Sequence, residues 1–343
     1  MRIGNIDLGE RPLFLAPMED VTDPSFRYMC KKFGADVMYT EFINADGLIR
    51  DAITSINKLN IFDYERPIGI QLYGHQIESM VEATRVASAA NPDLIDINFG
   101  CPVKKIATRG AGSGMMKDVP KMVELTRRIV SATNLPVTVK TRLGWDDSTK
   151  NIIDIAERLQ DVGIKAITIH GRTRSQMYKG AADWTLIGEV KQNPRIVIPV
   201  IGNGDIDSPE KAESAFLQYG VDGVMIGRAT YGRPWIFKEI KQYLSTGEKI
   251  SPLNTQKKVE IAIEHLRKSI DIKGEHRGIL EIRRHFSCYF KGLPHYKELR
   301  LKLLTSTSSD EILRLLGKIA DDYADFIFDD SINPSPWIRK EEA

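Results

Sequence analysis

The fold is decided between residues 137 and 227, where four short apolar runs occur: VTVKTR (137–142), AITIH (166–170), VIGN (200–203) and GVMIG (223–227). The runs are too short for helices, contain Ile and Val, and end in polar or glycine residues. This pattern is typical of strands buried on both faces of a parallel sheet. Helical patterns fill the segments between them, so the stretch predicts repeated β/α units.

Four similar runs precede this stretch: LFLAPM (13–18), DVMYTE (36–41), IGIQLY (68–73) and LIDIN (94–98). Helical patterns lie at 24–33, 77–90, 120–132, 149–162 and 208–219. Eight strands alternating with helices over about 230 residues predict an α/β fold, a closed TIM (β/α)8 barrel. The alternative is an open doubly wound sheet, but no GxGxxG follows the first strand, which favours the barrel.

The alternation stops near Ser245, and GEKISPLN (247–254) has the composition of a linker. Only helical patterns follow, at 256–272, 276–290, 297–304 and 310–328. We therefore predict a barrel domain over residues 1–245 and a C-terminal all-helical domain over residues 246–343.

Composition excludes several classes of protein. The 343 residues are 42% hydrophobic and 27% charged, as in globular rather than disordered proteins. The N-terminal apolar run is too short for a signal peptide, and no run reaches the ~18 residues of a membrane span. Cys30, Cys101 and Cys288 are too scattered for a disulfide framework or a zinc knuckle. We expect a cytoplasmic, monomeric protein without a metal site.

The net charge of +2 conceals two oppositely charged segments. Residues 257–302 contain twelve Lys/Arg and six Asp/Glu, whereas residues 303–343 contain four and nine. Solvated helix faces explain such a pattern, but the basic segment is also a candidate surface for nucleic acid.

In a TIM barrel, functional residues lie at the carboxyl ends of the strands. Pro17 and Met18 end the first strand and allow a flat ligand to lie against the backbone. Gln71 offers an amide that suits the edge of a ring with alternating carbonyl and N–H groups. Lys140 and Arg142 share one side of their strand, and a lysine in an apolar strand needs an anion or a reacting carbonyl.

The last two predicted strands end in glycine turns. Asn203, Gly204 and Asp205 follow the seventh strand, and Gly227 and Arg228 follow the eighth. Glycines at these two positions commonly bind phosphate in this fold. One phosphate site together with one flat-ring site suggests FMN.

Cys101 lies in a glycine–proline turn just after the fourth strand, where a thiol can face a cavity. A thiolate would be a nucleophile, and a neutral thiol would be a general acid. Because an unperturbed thiol has a pKa of ~8.5, the neutral acid is favoured at pH 7.

Seven stretches carry a family resemblance: APMEDVTDPSFR (16–27), GIQLYG (69–74), DINFGCPVKK (96–105), VTVKTRLGW (137–145), TIHGRTR (168–174), PVIGNGDI (199–206) and DGVMIGRATYGRPWIF (222–237). In them the chain resembles the tRNA-dihydrouridine synthase family, most closely its bacterial B-type branch. The loop IATRGAGSGMM (106–116) departs from the closest family sequences. We expect this loop near bound RNA.

The resemblance implies FMN-dependent reduction of the 5,6 double bond of specific uridines in tRNA, with NADPH or NADH as electron donor. It implies that Cys101 is the proton donor, that Asn98 contacts the target uracil, and that Arg172 and Arg174 are further substrate candidates. It implies FMN contacts for Pro17, Met18, Gln71, Lys140, His170, Asn203, Gly204, Asp205, Gly227 and Arg228. The base must leave its stack to react, and the helical domain would bind the tRNA.

Three alternatives remain at this point. One is a flavin reductase acting on a free pyrimidine, which would not need the basic helical domain. Another is a Schiff-base aldolase using Lys140, which would be colourless. The third is an RNA-binding module whose barrel is only a scaffold, and which would need neither Cys101 nor Lys140.

Overall fold

The computed structural model describes residues 1–328, with a ring of short parallel strands at its centre. These strands are buried because surrounding helices cover one face and the barrel interior covers the other. In chain order the strands are β1 (Arg2–Ile3), β2 (Ile6–Asp7), β3 (Leu13–Leu15), β4 (Met38–Tyr39), β5 (Ile43–Asn44), β6 (Ile68–Tyr73), β7 (Leu94–Asn98), β8 (Val137–Arg142), β9 (Ala166–His170), β10 (Val200–Asn203) and β11 (Gly223–Ile226).

The ring is closed. Hydrogen-bonded neighbours run β3–β11–β10–β9–β8–β7–β6–β4, all parallel, and β5 also pairs with β6. A parallel bridge between Phe14 and Val37 joins the two ends, and the Leu15 N–H donates to the Val37 carbonyl at 3.0 Å. The predicted TIM barrel is confirmed, and the doubly wound sheet is wrong.

Helices surround the ring and continue beyond it. They are α1 (Pro24–Lys32), α2 (Ala45–Leu48), α3 (Ile53–Asn57), α4 (Ile77–Ala89), α5 (Lys104–Ala107), α6 (Val119–Val130), α7 (Ile152–Asp161), α8 (Thr185–Gln192), α9 (Pro209–Tyr219), α10 (Ile236–Thr246), α11 (Thr255–Lys273), α12 (Glu275–Tyr289), α13 (Lys297–Thr305) and α14 (Ser309–Asp322). Within residues 1–328, none of these helices combines the length and apolarity needed to cross a membrane.

The antiparallel β1–β2 hairpin lies at the amino-terminal end of the barrel. Its Ile3 is fully buried in a cluster with Phe14, Leu94 and Ala166, at or near the starts of the strands. Because apolar side chains fill this end in the described residues, a ligand would find room at the opposite, carboxyl end.

The predicted helix α14 extended to residue 328, but the structure ends it at Asp322. Two adjacent carboxylates, Asp321 and Asp322, lie in the last turn. Negative charge there opposes the helix dipole and favours termination. Helices α8 and α10 were not predicted, and the predicted strand 36–41 contracts to Met38–Tyr39.

Helices α11–α14 form a second hydrophobic cluster, which also takes in Met29 of α1 and Trp235. Two side-chain contacts join this region to the barrel. Lys273 forms an ion pair with the Asp23 carboxylate at 3.0 Å, and the His285 ring stacks on Phe26 with ring centroids 4.3 Å apart. Helix α10 ends at Thr246, before Gly247 in left-handed conformation. The domain boundary at residues 245/246 stays a proposal.

Candidate active site

The carboxyl ends of the barrel strands surround a cavity of about 1020 Å³. Eleven of the fourteen predicted site residues line it: Pro17, Met18, Asn98, Cys101, Lys140, His170, Asn203, Gly204, Asp205, Gly227 and Arg228. This volume lies at the upper end of the range of small-molecule sites. A flat cofactor and a second ring can therefore be accommodated together.

Cys101 and the glycine turns lie on opposite walls. Cys101 follows β7, the fourth strand of the ring, whereas Gly227 and Arg228 follow β11, the eighth. Strands four places apart in a ring of eight are diametrically opposed. A ligand anchored at Arg228 and extending across the mouth therefore approaches the thiol.

Hydrogen bonds fix the Cys101 turn from both sides. The Asn98 side-chain oxygen accepts the Gly100 and Cys101 N–H groups at 3.0 and 2.8 Å. The Ser113 hydroxyl donates to the Cys101 carbonyl at 2.7 Å. Cys101 itself is 7% exposed and faces the cavity. The turn that carries the thiol is therefore held in place at the edge of the cavity.

Two cations enter the cavity from β8. Burial, followed by the neighbouring Arg142 charge, lowers the pKa of Lys140 to about 8. Burial also lowers the pKa of Arg142 to about 10, so the guanidinium stays charged at neutral pH. Arg142 donates to the carbonyls of Gly100, Thr173 and Met177 at 2.7–3.1 Å. Arg142 lines the cavity but was not among the predicted site residues. The sequence had indicated it only by placing it on the same side of the strand as Lys140.

His170 presents a buried polar atom without a protein partner. Its Nδ1 makes no hydrogen bond within the described chain, and the side chain lines the cavity. Burial, and then the charges of Arg142 and Lys140, hold the pKa of His170 well below its usual value. The ring is therefore neutral and can hydrogen-bond a ligand.

The wall at β10 and β11 is built around Asp205, whose φ of 55° is in the left-handed region. Its carboxylate accepts hydrogen bonds from Arg228 at 2.9 Å and from Arg172 at 2.9 and 2.6 Å. Although burial acts in the opposite direction, these partners keep the pKa of Asp205 below its usual value. Tyr178, which the sequence did not reveal, lies 4.9 Å from the Arg228 guanidinium.

Glycine is required at position 204 of this wall. A Cβ on Gly204, which has a φ of 130°, would lie 2.7 Å from the Ala182 Cβ. A Cβ on Gly227 would meet only Ala16 and Met18, at 3.5 Å. Gly227 lines the cavity, so its missing side chain leaves room for a ligand beside Arg228.

Three predicted site residues do not line the cavity. Gln71 is fully buried behind Asn98, and accepts from the Asn98 amide at 2.8 Å. Arg172 is buried and bonds Asp205 and two backbone carbonyls, so it supports the wall rather than forming it. Arg174 lies against Trp145, 4.7 Å from the ring centroid. A direct ligand contact for these three stays a prediction.

Basic side chains surround the mouth. Arg50, His75, Lys105, Arg109 and Arg284 all line it. Arg109 belongs to the loop 106–116 expected near RNA, Lys105 lies just before that loop in α5, and Arg284 comes from α12. The helical region therefore contributes directly to the cavity through Arg284, which the sequence, together with Arg283, indicated as a tRNA contact.

Three carboxylates also meet at the mouth: Glu19, Asp20 and Glu41 have oxygens within 4.8 Å of one another. Lys58 pairs with Glu19 at 2.5 Å, and Arg284 with Asp20 at 3.6 Å. Burial raises the pKa of Glu41 to about 7. Neighbouring cations and partial protonation thus balance this negative charge.

Comparison with known proteins agrees with this arrangement. The family model "Dihydrouridine synthase (Dus)" matches residues 14–323. A probable tRNA-dihydrouridine synthase from Rickettsia conorii is 40% identical over 88% of this chain and 90% of its own length. tRNA-dihydrouridine synthase B from Shewanella oneidensis is 39% identical over 84% of this chain and 89% of its own.

Among solved structures, the old yellow enzyme homologue of Zymomonas mobilis aligns with a TM-score of 0.52 and 15% identity, covering 74% of this chain and 93% of that one. Morphinone reductase in complex with tetrahydroNAD gives a TM-score of 0.52 and 14% identity, covering 74% and 91%. These similarities establish the barrel fold. Because the family model and the relatives span most of its length, the chain belongs to the dihydrouridine synthase family.

Proposed function

We propose that this protein is an FMN-dependent tRNA-dihydrouridine synthase that reduces the 5,6 double bond of uridine in tRNA with NAD(P)H. The observation that carries the proposal is the opposition of Cys101 and the cationic wall at Arg228 across one cavity. Both family relatives named above bear this activity in their names.

The residues present fit FMN. Arg228, beside the space left by Gly227, would bind the phosphate. The neutral His170 has an unused Nδ1 for the cofactor. Pro17 and Met18 offer an apolar surface in the same cavity for the flat ring. When bound, FMN would take hydride from NAD(P)H and deliver it to the substrate.

Lys140 places a positive charge in a buried setting, where electrostatic interactions are strong. With FMN bound, its ammonium would stabilise negative charge on the flavin. Arg142 keeps the local potential positive.

Cys101 would hold the proton for carbon 5 of the uracil while carbon 6 receives hydride. Its turn is fixed by Asn98 and Ser113, so the thiol position is set before the substrate arrives. Asn98, also in the wall, would contact the uracil.

The tRNA would dock on the basic mouth. Lys105, Arg109 and Arg284 would contact phosphates flanking a uridine turned out of its stack. Their contacts would offset the few kcal/mol that unstacking requires. The cytoplasmic location, the monomeric state and the RNA-binding role of the helical region stay predictions.

A reconstitution experiment tests the function. Purified protein, FMN, NADPH and an unmodified tRNA transcript should yield tRNA heavier by two hydrogens, detected by mass spectrometry of its nucleosides. Omission of FMN from cofactor-free protein is the control. A colourless protein that binds no added FMN and leaves uridine unchanged would contradict the proposal and favour the Schiff-base alternative at Lys140.

A further inference from the structure

A buried row of polar side chains crosses three neighbouring barrel strands beneath the cavity. Gln71 of β6 is in register with Asp96 of β7, which is in register with Thr138 of β8. All three are at most 2% exposed. The Asp96 carboxylate accepts from the Gln71 amide and from the Thr138 hydroxyl, each at 2.5 Å. No role in the proposed reaction has yet been assigned to Asp96.

The carboxylate dictates the orientation of the next two amides. An ionised carboxylate only accepts hydrogen bonds, so Gln71 must turn its NH2 group toward Asp96. Its oxygen then faces Asn98, whose Nδ2 donates to it at 2.8 Å. The Asn98 oxygen in turn accepts the Gly100 and Cys101 N–H groups. Although burial raises the pKa of Asp96 to about 6, the carboxylate predominates at pH 7.

This chain of bonds determines what Asn98 can offer to a ligand. Both lone pairs of its oxygen are occupied by the Cys101 turn, and one amide hydrogen is used by Gln71. Within residues 1–328, the second amide hydrogen has no protein acceptor, and Asn98 lines the cavity. Asn98 can therefore present a donor but not an acceptor.

A donor-only amide distinguishes pyrimidines. Uracil carries a carbonyl oxygen at position 4, where cytosine carries an amino group. An N–H group directed at position 4 would bond the carbonyl oxygen of uracil and would face another N–H group in cytosine. Sites that leave a buried polar group unpaired reject the wrong substrate strongly.

We propose that Asp96 is a positioning residue: through Gln71 it fixes Asn98 as a hydrogen-bond donor toward uracil and holds the turn that carries Cys101. The choice of uracil rests on the proposed function. The fixing of the turn rests on hydrogen bonds within the protein alone.

Two variants separate the effect of hydrogen-bond direction from the effect of burying a side chain at position 96. Asp96→Leu removes the acceptor, so Gln71 and Asn98 are free to turn over. The double variant Asp96→Asn, Gln71→Glu moves the carboxylate one place along the chain of bonds. The amide introduced at position 96 would then donate to the carboxylate introduced at position 71. That carboxylate would still accept from Asn98, so the direction of the Asn98 bond is kept, whereas the bond between positions 71 and 96 reverses.

The first measurement needs no cofactor. The alkylation rate of Cys101 by iodoacetamide, read by peptide mass spectrometry in cofactor-free protein, should rise severalfold in Asp96→Leu because the turn is released. The double variant should keep the wild-type rate. Circular dichroism and thermal unfolding establish that each variant is folded.

The second measurement uses the reaction. Turnover on tRNA should fall about a hundredfold in Asp96→Leu, as expected for displacement of a reacting group by about 1 Å, while NADPH oxidation without tRNA persists. Once the modified position is mapped, a transcript with cytidine there serves as a competitor. Relative to the uridine transcript, the cytidine transcript should inhibit Asp96→Leu more strongly than it inhibits the wild type. In the double variant its relative inhibition should stay at the wild-type level.

A folded Asp96→Leu variant with wild-type alkylation and turnover would overturn the proposal. If that variant does not fold, the double variant decides: a wild-type alkylation rate supports the assignment, and an altered rate in folded protein rejects it. A wild-type protein that forms no dihydrouridine refutes the proposed function, but the alkylation result still tests the role of Asp96.

Discussion

Cys101 is the residue on which the proposed chemistry depends, because it lies in a turn held by hydrogen bonds and lines the cavity. Cys101→Ala removes the proposed proton donor without touching the wall at Arg228. We expect FMN content and NADPH oxidation to persist, while dihydrouridine formation falls by about 10²–10⁴-fold, the usual contribution of a general acid.

Cys288→Ala is the matched control for that substitution, since this thiol is also buried but lies in α12 and does not line the cavity. Its turnover should stay at the wild-type level. Undiminished dihydrouridine formation in Cys101→Ala would show that another group supplies the proton.

Lys140 should introduce a pH dependence. Because burial lowers its pKa to about 8, the ammonium is present below this pH and is lost as the pH rises through it. FMN reduction by NADPH, followed by stopped-flow absorbance, should therefore slow above about pH 8 in the wild type. Lys140→Met should be slower throughout and lack this decline. The same decline in both proteins would assign it to another group.

At the scale of elements, local sequence signals predicted most of the barrel. The helix predicted at 208–219 is confirmed as α9: Ser208 caps it and Pro209 starts it, and both features act within one turn. The positions of site side chains were less predictable where hydrogen bonds between residues far apart in sequence determine them. Arg172 is drawn away from the cavity by Asp205, 33 residues later, and no local pattern reveals such a contact.

The loop after β7 carries a prediction of its own. Arg109 lies just beyond α5, is exposed and lines the mouth. Arg109→Glu should weaken tRNA binding and reduce the salt dependence of its affinity by about one unit of slope, as loss of a phosphate contact does. Filter binding at several salt concentrations measures both.

Arg128→Glu in α6 is the matched charge reversal, because this exposed arginine does not line the cavity. It should leave the affinity and its slope nearly unchanged. Equal effects of the two reversals would show that overall charge, rather than the mouth, governs binding.

At the scale of the whole molecule, the barrel and the helical region share one cavity wall through Arg284. The adjacent Arg283 instead donates to the carbonyls of Thr305 and Ser306, which holds α12 against the end of α13. Arg284→Ala should weaken tRNA binding. Arg283→Ala should lower the free energy of unfolding by about 1–3 kcal/mol with affinity unchanged. Urea unfolding and filter binding separate these effects, and the reverse pattern would contradict the assignment.

In the proposed reaction, hydride and proton reach the uracil from opposite walls of one cavity. Reduction of tRNA in D2O with NADPH deuterated at the transferred position tests it, because carbons 5 and 6 of the product then each carry one deuterium. NMR of the isolated dihydrouridine shows on which face of the ring each deuterium lies. We predict that the two lie on opposite faces. Addition of both to the same face would contradict the placement of Cys101 across the substrate from the cofactor.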